Sequence, residues 1–222
     1  MCAHYVGLTD ERVRLVISEL TGGSVEDLRA ADPWEQAELD LPDSGGEEPR
    51  VDVFPKAVTP VIAAEFDTAV GVPELAPGTL APMELSWGFT PQWTSDVVFN
   101  TRIESADKPM WRAPMEHGRC LVAARRFYEA SGTEMTVSAR TGRPIKQQYV
   151  FSEPGVDVML IGAVRRGGEF SLVTTRANAD MAPVHPRMPL IVRPGEVDLW
   201  FGPDYRALAD RSDIRLDAVK AR

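Results

Sequence analysis

The second residue of this 222-residue chain is a cysteine, and removal of Met1, normal when the next side chain is small, would make Cys2 the mature amino terminus. The product is a 1,2-aminothiol, an amine with an ordinary pKa of about 7.7–8.0 beside a thiol of about 8.5. Such a pair attacks an acyl carbon through sulfur. Alternatively, it condenses with an aldehyde through nitrogen and then closes a thiazolidine ring through sulfur. An internal cysteine has no amine for the second reaction. Cys2 alone is an ordinary accident of a start codon, so its companions decide its meaning.

Four later segments carry residue types that suit such chemistry. Leu85-Ser-Trp-Gly-Phe-Thr-Pro-Gln-Trp93 holds two tryptophans around a Gly and a Pro, read either as core aromatics at a strand end or as a stacking platform for bases. Asn100-Thr-Arg-Ile-Glu104 sets an amide, a guanidinium and a carboxylate at alternate positions, which share one face if the segment is a strand. In Arg119-Cys-Leu-Val-Ala-Ala-Arg-Arg-Phe-Tyr-Glu129 a carboxylate follows two aromatics. An apolar pocket would suit Glu129 to general acid or base work at a nucleophilic cysteine, whereas an exposed strand end would leave it structural. Val184-His-Pro-Arg-Met-Pro189 fixes His185 between prolines, as an acid or base near pH 7 or as a hydrogen-bonded core residue. Cys2, Cys120, His4, His117 and His185 show no C-x-x-C or H-x-x-x-H spacing, and no P-loop, dinucleotide glycine motif or G-x-S-x-G is present. No metal or cofactor is expected.

The elements that must position these residues follow from the pattern. Val13, Val16, Ile17 and Leu20 recur at helical spacing after Thr9-Asp10 and stop at Gly22-Gly23, which predicts a short amphipathic helix. A second helical turn is expected from Ser24, and residues 32–50 read as an acidic, mobile loop. Beyond it, short β-like runs lie between Gly and Pro breaks: Val58–Ala64, Met83–Phe89, Cys120–Ala124, Gln148–Ser152, Val156–Ala163 and Phe170–Thr175. Gly142-Arg-Pro and Arg166-Gly-Gly read as hairpin connections, and Gly195–Phe201 as a short helix. The expected class is α+β, with mainly antiparallel strands in a barrel-like sheet core, a few flanking helices and one domain over 1–222.

Composition narrows the partners. The formal charge is −9, yet residues 1–50 hold 12 Asp and Glu against 4 Lys and Arg, so the remainder is nearly neutral. A local basic groove is therefore compatible with the acidic total. No apolar run reaches the roughly 18 residues of a membrane span and no secretory leader is visible. A monomeric, cytoplasmic protein without membrane contact is expected, its two cysteines unpaired in a reducing compartment.

Taken in order, Met1-Cys2, Val53-Phe-Pro55, Trp87-Gly-Phe, Asn100-Thr-Arg102-Ile-Glu104, Phe127-Tyr-Glu129 and His185-Pro-Arg187-Met-Pro189 resemble the motifs of the SRAP family, the SOS response-associated peptidases, over nearly the whole chain. The resemblance implies binding to abasic sites in single-stranded DNA and a covalent thiazolidine crosslink through Cys2, with possible self-processing to expose it. It implies catalytic roles for Cys2, Asn100, Glu129 and His185. Arg102 and Arg187 would clamp phosphates, with Trp87, Thr174 and Pro55 along the strand path. A cysteine peptidase acting in trans and a non-enzymatic single-stranded nucleic-acid binding module are the alternatives. Ala3-His4 stand where the family has Gly-Arg, which removes an arginine that normally meets DNA; Arg126 replaces a Gly, Ala130 a Trp and Ala123 a common Pro.

Overall fold

The computed structural model describes residues 2–22, 50–64, 80–91, 94 and 96–221. The turn expected at Ser24, nearly all of the acidic 32–50 loop and Trp93 lie outside the described residues. Helix α1 (Asp10–Thr21) forms where the apolar spacing placed it: Thr9 accepts from the Arg12 N–H, Asp10 and Glu11 face the positive helix end, and Gly22 closes it at φ 65°. Its Val13, Val16 and Ile17 are buried.

The remaining architecture is dominated by one mixed sheet. Its strands are β1 (His4–Gly7), β2 (Val51–Val53), β3 (Val58–Ala64), β4 (Leu80–Trp87), β5 (Asn100–Arg102), β6 (Arg119–Val137), β7 (Pro144–Ser152), β8 (Met159–Arg166), β9 (Glu169–Arg176), β10 (Arg187–Pro189), β11 (Ile191–Val192) and β12 (Asp217–Lys220). Two further helices, α2 (Pro109–His117) and α3 (Val197–Phe201), complete the three among the described residues. Most pairings are antiparallel, as expected, while β4 and β5 both run parallel to β9. The pairs β8–β9, β9–β4, β4–β3, β3–β6 and β6–β8 form a closed circuit of hydrogen-bonded neighbours. The hairpins expected at Gly142 and Gly167 are the β6–β7 and β8–β9 connections.

Each face of this sheet has its own core. Val61, Ala63, Cys120, Val122, Ala124, Ile161, Ala163, Phe170 and Leu172 point to one, together with Cys2, Tyr5 and Trp87. Ile62, Leu121, Ala123, Leu160, Val164 and Val173 point to the other, where α1, α2 and α3 cover them. Strands buried on both faces read as continuous apolar runs, so the short β-like runs were visible without alternation. Strand β6 is the spine. Its first half pairs β8 and β3, its middle pairs β1 and its far half pairs β7. Where Val6 faces Arg126 and Gly7 faces Ala124, Arg125 is a bulged extra residue.

Candidate active site

Cys2 immediately precedes β1, which lies between β2 and β6 and so draws the amino-terminal segment into the sheet. The side chain is 1% exposed and its thiol donates to the His4 carbonyl at 3.4 Å. Burial, and then the negative charge of Glu129, push the thiol up to about 12, against smaller opposing contributions from the backbone around His4 and Tyr128. Asn100, 8% exposed at the start of β5, donates from Nδ2 to the Cys2 carbonyl at 2.7 Å. Its Oδ1 is also buried and has no hydrogen-bond partner among the described residues. Glu129 is 3% exposed on β6, one residue beyond the Tyr128 that pairs with His4, so it is not the exposed strand-end carboxylate.

A second cluster is built on β9. Thr174 faces Arg102 of β5 on one side and Pro189 of β10 on the other. Its hydroxyl donates to the Thr101 carbonyl at 3.1 Å, and its own carbonyl accepts from Arg187 at 2.8 Å. The Arg187 guanidinium forks onto Glu104, at 2.6 Å to Oε1 and 2.8 Å to Oε2. This pairing holds the Glu104 carboxyl below the usual carboxylate range. The Arg187 N–H lies 3.1 Å from His185 Nδ1, and the loop before His185 is tied to β6 by the Gly132 N–H, 2.9 Å from the Val184 carbonyl. The same Nδ1 lies 3.0 Å from the Arg187 carbonyl, so it either accepts from the Arg187 N–H or donates to its carbonyl according to the tautomer.

Several expected positions turn out differently. The strand holding Asn100 ends at Arg102, and Glu104 lies in the 3-10 turn Ile103–Ser105, where it meets Arg187 instead of sharing a strand face with Asn100. Trp87 is fully buried, its indole N–H 2.8 Å from the Phe99 carbonyl and its ring against Tyr5, Phe99 and Phe170. It offers no face to a base. Thr174 is 1% exposed and orients Arg187, whose fork is already filled by Glu104. Arg102 is exposed. Pro55 occupies the second position of a turn in which Lys56 has φ 76° and Ala57 N–H meets the Phe54 carbonyl at 2.9 Å. Backbone bonds from Lys56 to Trp87 and from Trp87 to Ala57 pin that turn to β4.

One arrangement had no signal in the sequence. The His4 ring lies between Phe54, with centroids 4.3 Å apart, and Tyr128, 4.0 Å apart, nearly parallel to both. His4 Nε2 is 2.6 Å from Asp52 Oδ1, and Arg50 reaches both Asp52 and the Tyr128 hydroxyl, at 2.8 and 2.9 Å. Arg50, followed by His4, holds the Asp52 carboxyl below its ordinary range. These five residues come from β1, the β2 region and β6, and only pairing of those strands makes them neighbours. Together with the β6–β7 hairpin, His4, Arg50, Phe54 and Tyr128 wall a cleft of about 1070 Å³ with Glu129 among its lining residues. Among the described residues no group of three or more His, Cys, Asp or Glu is placed to hold a metal, and no helix is long and apolar enough to cross a membrane.

The fold thus draws the Cys2 segment into the sheet, with its carbonyl on Asn100 and its thiol in the field of the buried Glu129. The chain belongs to the SOS response associated peptidase (SRAP) family, whose model matches residues 1–220. Among curated relatives, an abasic site processing protein of Saccharomyces cerevisiae is 27% identical over 155 residues, which is 63% of this chain and 40% of that protein. An abasic site processing protein of Bacillus subtilis is 26% identical over 129 residues, 54% of this chain and 56% of the relative. The matched stretches thus span about half the length of these relatives. Solved structures with a similar fold include a phage-related protein of Bordetella bronchiseptica, with a TM-score of 0.61 at 21% identity, covering all of this chain and 94% of the other. A Bacteroides thetaiotaomicron protein has a TM-score of 0.63 at 17% identity, covering all of this chain and 92% of the other.

Proposed function

We propose that this protein captures abasic sites in single-stranded DNA by forming a thiazolidine through Cys2 once Met1 has been removed. The observation that carries the reading is the 2.7 Å hydrogen bond from Asn100 to the Cys2 carbonyl, which fixes the residue whose amine and thiol must both act. The ring-opened abasic sugar presents an aldehyde. The Cys2 amine adds to it and the adduct loses water to give an iminium. Sulfur then adds to the same carbon, closing the ring while the thiol proton leaves. With its pKa near 12 the thiol is protonated at neutral pH, so ring closure requires a base, and the nearby Glu129 carboxylate supplies it. His185 assists opening of the sugar. Exposed Arg102 takes a phosphate; Arg187, held by Glu104, positions the His185 segment. The family and the relatives named for abasic site processing support the same substrate.

The test is to incubate purified protein, shown by mass spectrometry to lack Met1, with single-stranded DNA containing one abasic site. A shifted band that survives heating is expected. Cys2→Ser should abolish the heat-stable band, and a negative result with Met-free wild type sinks the proposal.

A further inference from the structure

The Phe54–His4–Tyr128 stack ends in an aromatic face that nothing among the described residues explains. His4 covers one side of Phe54, yet Phe54 remains 52% exposed at the edge of the cleft that contains Glu129. A lone exposed ring is ordinary, but this one caps an ordered aromatic column at the mouth of a cleft. The stack beneath is fixed in advance: His4 is held by Asp52, Asp52 by Arg50 and Tyr128 by Arg50. The Phe54 turn is pinned in turn to Trp87 by backbone bonds. A flat ligand ring added to Phe54 would extend a pre-ordered column at little conformational cost.

The cleft also bears on the charge of its occupant. On a chain of net −9, its lining includes the cations Arg50, paired with Asp52, Lys220, paired with Glu134, and Lys146, beside the single lining carboxylate Glu129 among the described residues. A polyanion with flat rings fits both observations. We infer that Phe54, backed by His4 and Tyr128, is the stacking platform for the nucleobase immediately next to the abasic position, and that the β6–β7 hairpin wall with Lys146 follows its phosphates. The inference rests on the reading of Cys2 as the group that meets the abasic sugar. It assigns base stacking to a residue other than Trp87, whose ring is buried. It also gives His4 a structural task within the DNA path, in place of a charge contact with it.

The experiment uses single-stranded DNA carrying tetrahydrofuran, an abasic analogue with no aldehyde, and 2-aminopurine on one side or the other of it. Wild-type protein should quench 2-aminopurine at one of the two neighbouring positions and not several nucleotides away. Phe54→Leu should remove the quenching and weaken binding roughly tenfold, and Phe54→Trp should restore both. Equal unfolding midpoints for the three proteins would establish that only the surface ring has changed. Crosslinking to DNA with a natural abasic site is measured alongside. If wild type crosslinks normally but quenches neither neighbour, or if Phe54→Leu quenches and binds as wild type does, the platform is overturned while the proposed function stands. If wild type neither binds nor crosslinks, both fall.

Discussion

Cys2 has a thiol pressed up to about 12 by burial and by Glu129, so neutral solution leaves it protonated and quiet. This suits a nucleophile that should act only after a bound aldehyde has formed an iminium, because the cation then present counters the Glu129 charge and favours thiolate. Glu129→Gln preserves shape and hydrogen-bonding size while removing the proposed base. The expected result is a fall of about 10²–10⁴-fold in the rate of stable crosslink formation, with DNA binding nearly unchanged. Rapid-quench gels that time the heat-stable band check this, and an unchanged rate would remove Glu129 from the proton path. Residue types drew attention to Cys2, Asn100 and Glu129, which the fold brings together, and to His185, which it sets in the cluster with Arg187. Their environments were less legible. The sequence of Trp87 cannot tell a base platform from a core ring, and His4 looked like a lost arginine until Phe54 and Tyr128 were seen on either side of it.

At the scale of elements, the Trp87-Gly88-Phe89 junction shows why a motif can be structural. Gly88 has φ 116°, its N–H is 2.6 Å from the Phe170 carbonyl, and a Cβ placed there would come within 2.1 Å of Val97 Cγ1. Only glycine lets β4 leave the sheet at this point with Trp87 still inside. Gly88→Ala should cost about 2–4 kcal/mol and lower the thermal midpoint by several degrees, measured by circular dichroism. A midpoint within a degree of wild type would show that the junction relaxes. Strand β3 was readable to the residue because its run is apolar between breaks. Strand β6, by contrast, reads as five residues at Cys120–Ala124 and is in fact nineteen. Arg125-Arg126 and Ser131-Gly132 interrupt its apolar pattern because its partners change along its length, from the β8 side to the β7 hairpin. Strands β1, β2 and β5 have three or four residues each, too few for any periodicity, and are held by pairing alone.

For the whole molecule, the two thiols give a pH dependence whose sign is fixed by their burial. In the unfolded chain each releases its proton near 9.0, and in the folded chain each holds it to about 12. Burial also raises the Tyr5 phenol. Between these limits the folded state binds more protons than the unfolded state. The stability contribution is therefore whole below pH 9 and is lost as pH rises, by about 1.4 kcal/mol per pH unit for each thiol. Urea midpoints measured from pH 8 to 11 should fall steeply above 9, and Cys120→Ala should make the slope shallower. A flat profile would mean that neither thiol is buried in solution.

The position of β1 in the sheet also sets an order of events in time. Its neighbour β6 begins more than a hundred residues downstream, at Arg119. A ribosome working at about 5–20 residues per second needs roughly 6–25 s to make the intervening chain. Until β6 emerges, the segment around Cys2 has only the three-residue β2 to pair with and stays open to whatever acts on the peptide bond before it. Afterwards the same segment is enclosed, so under the proposed function removal of Met1 and burial of the thiol compete as rates, and slowing the first should leave folded molecules that do not crosslink.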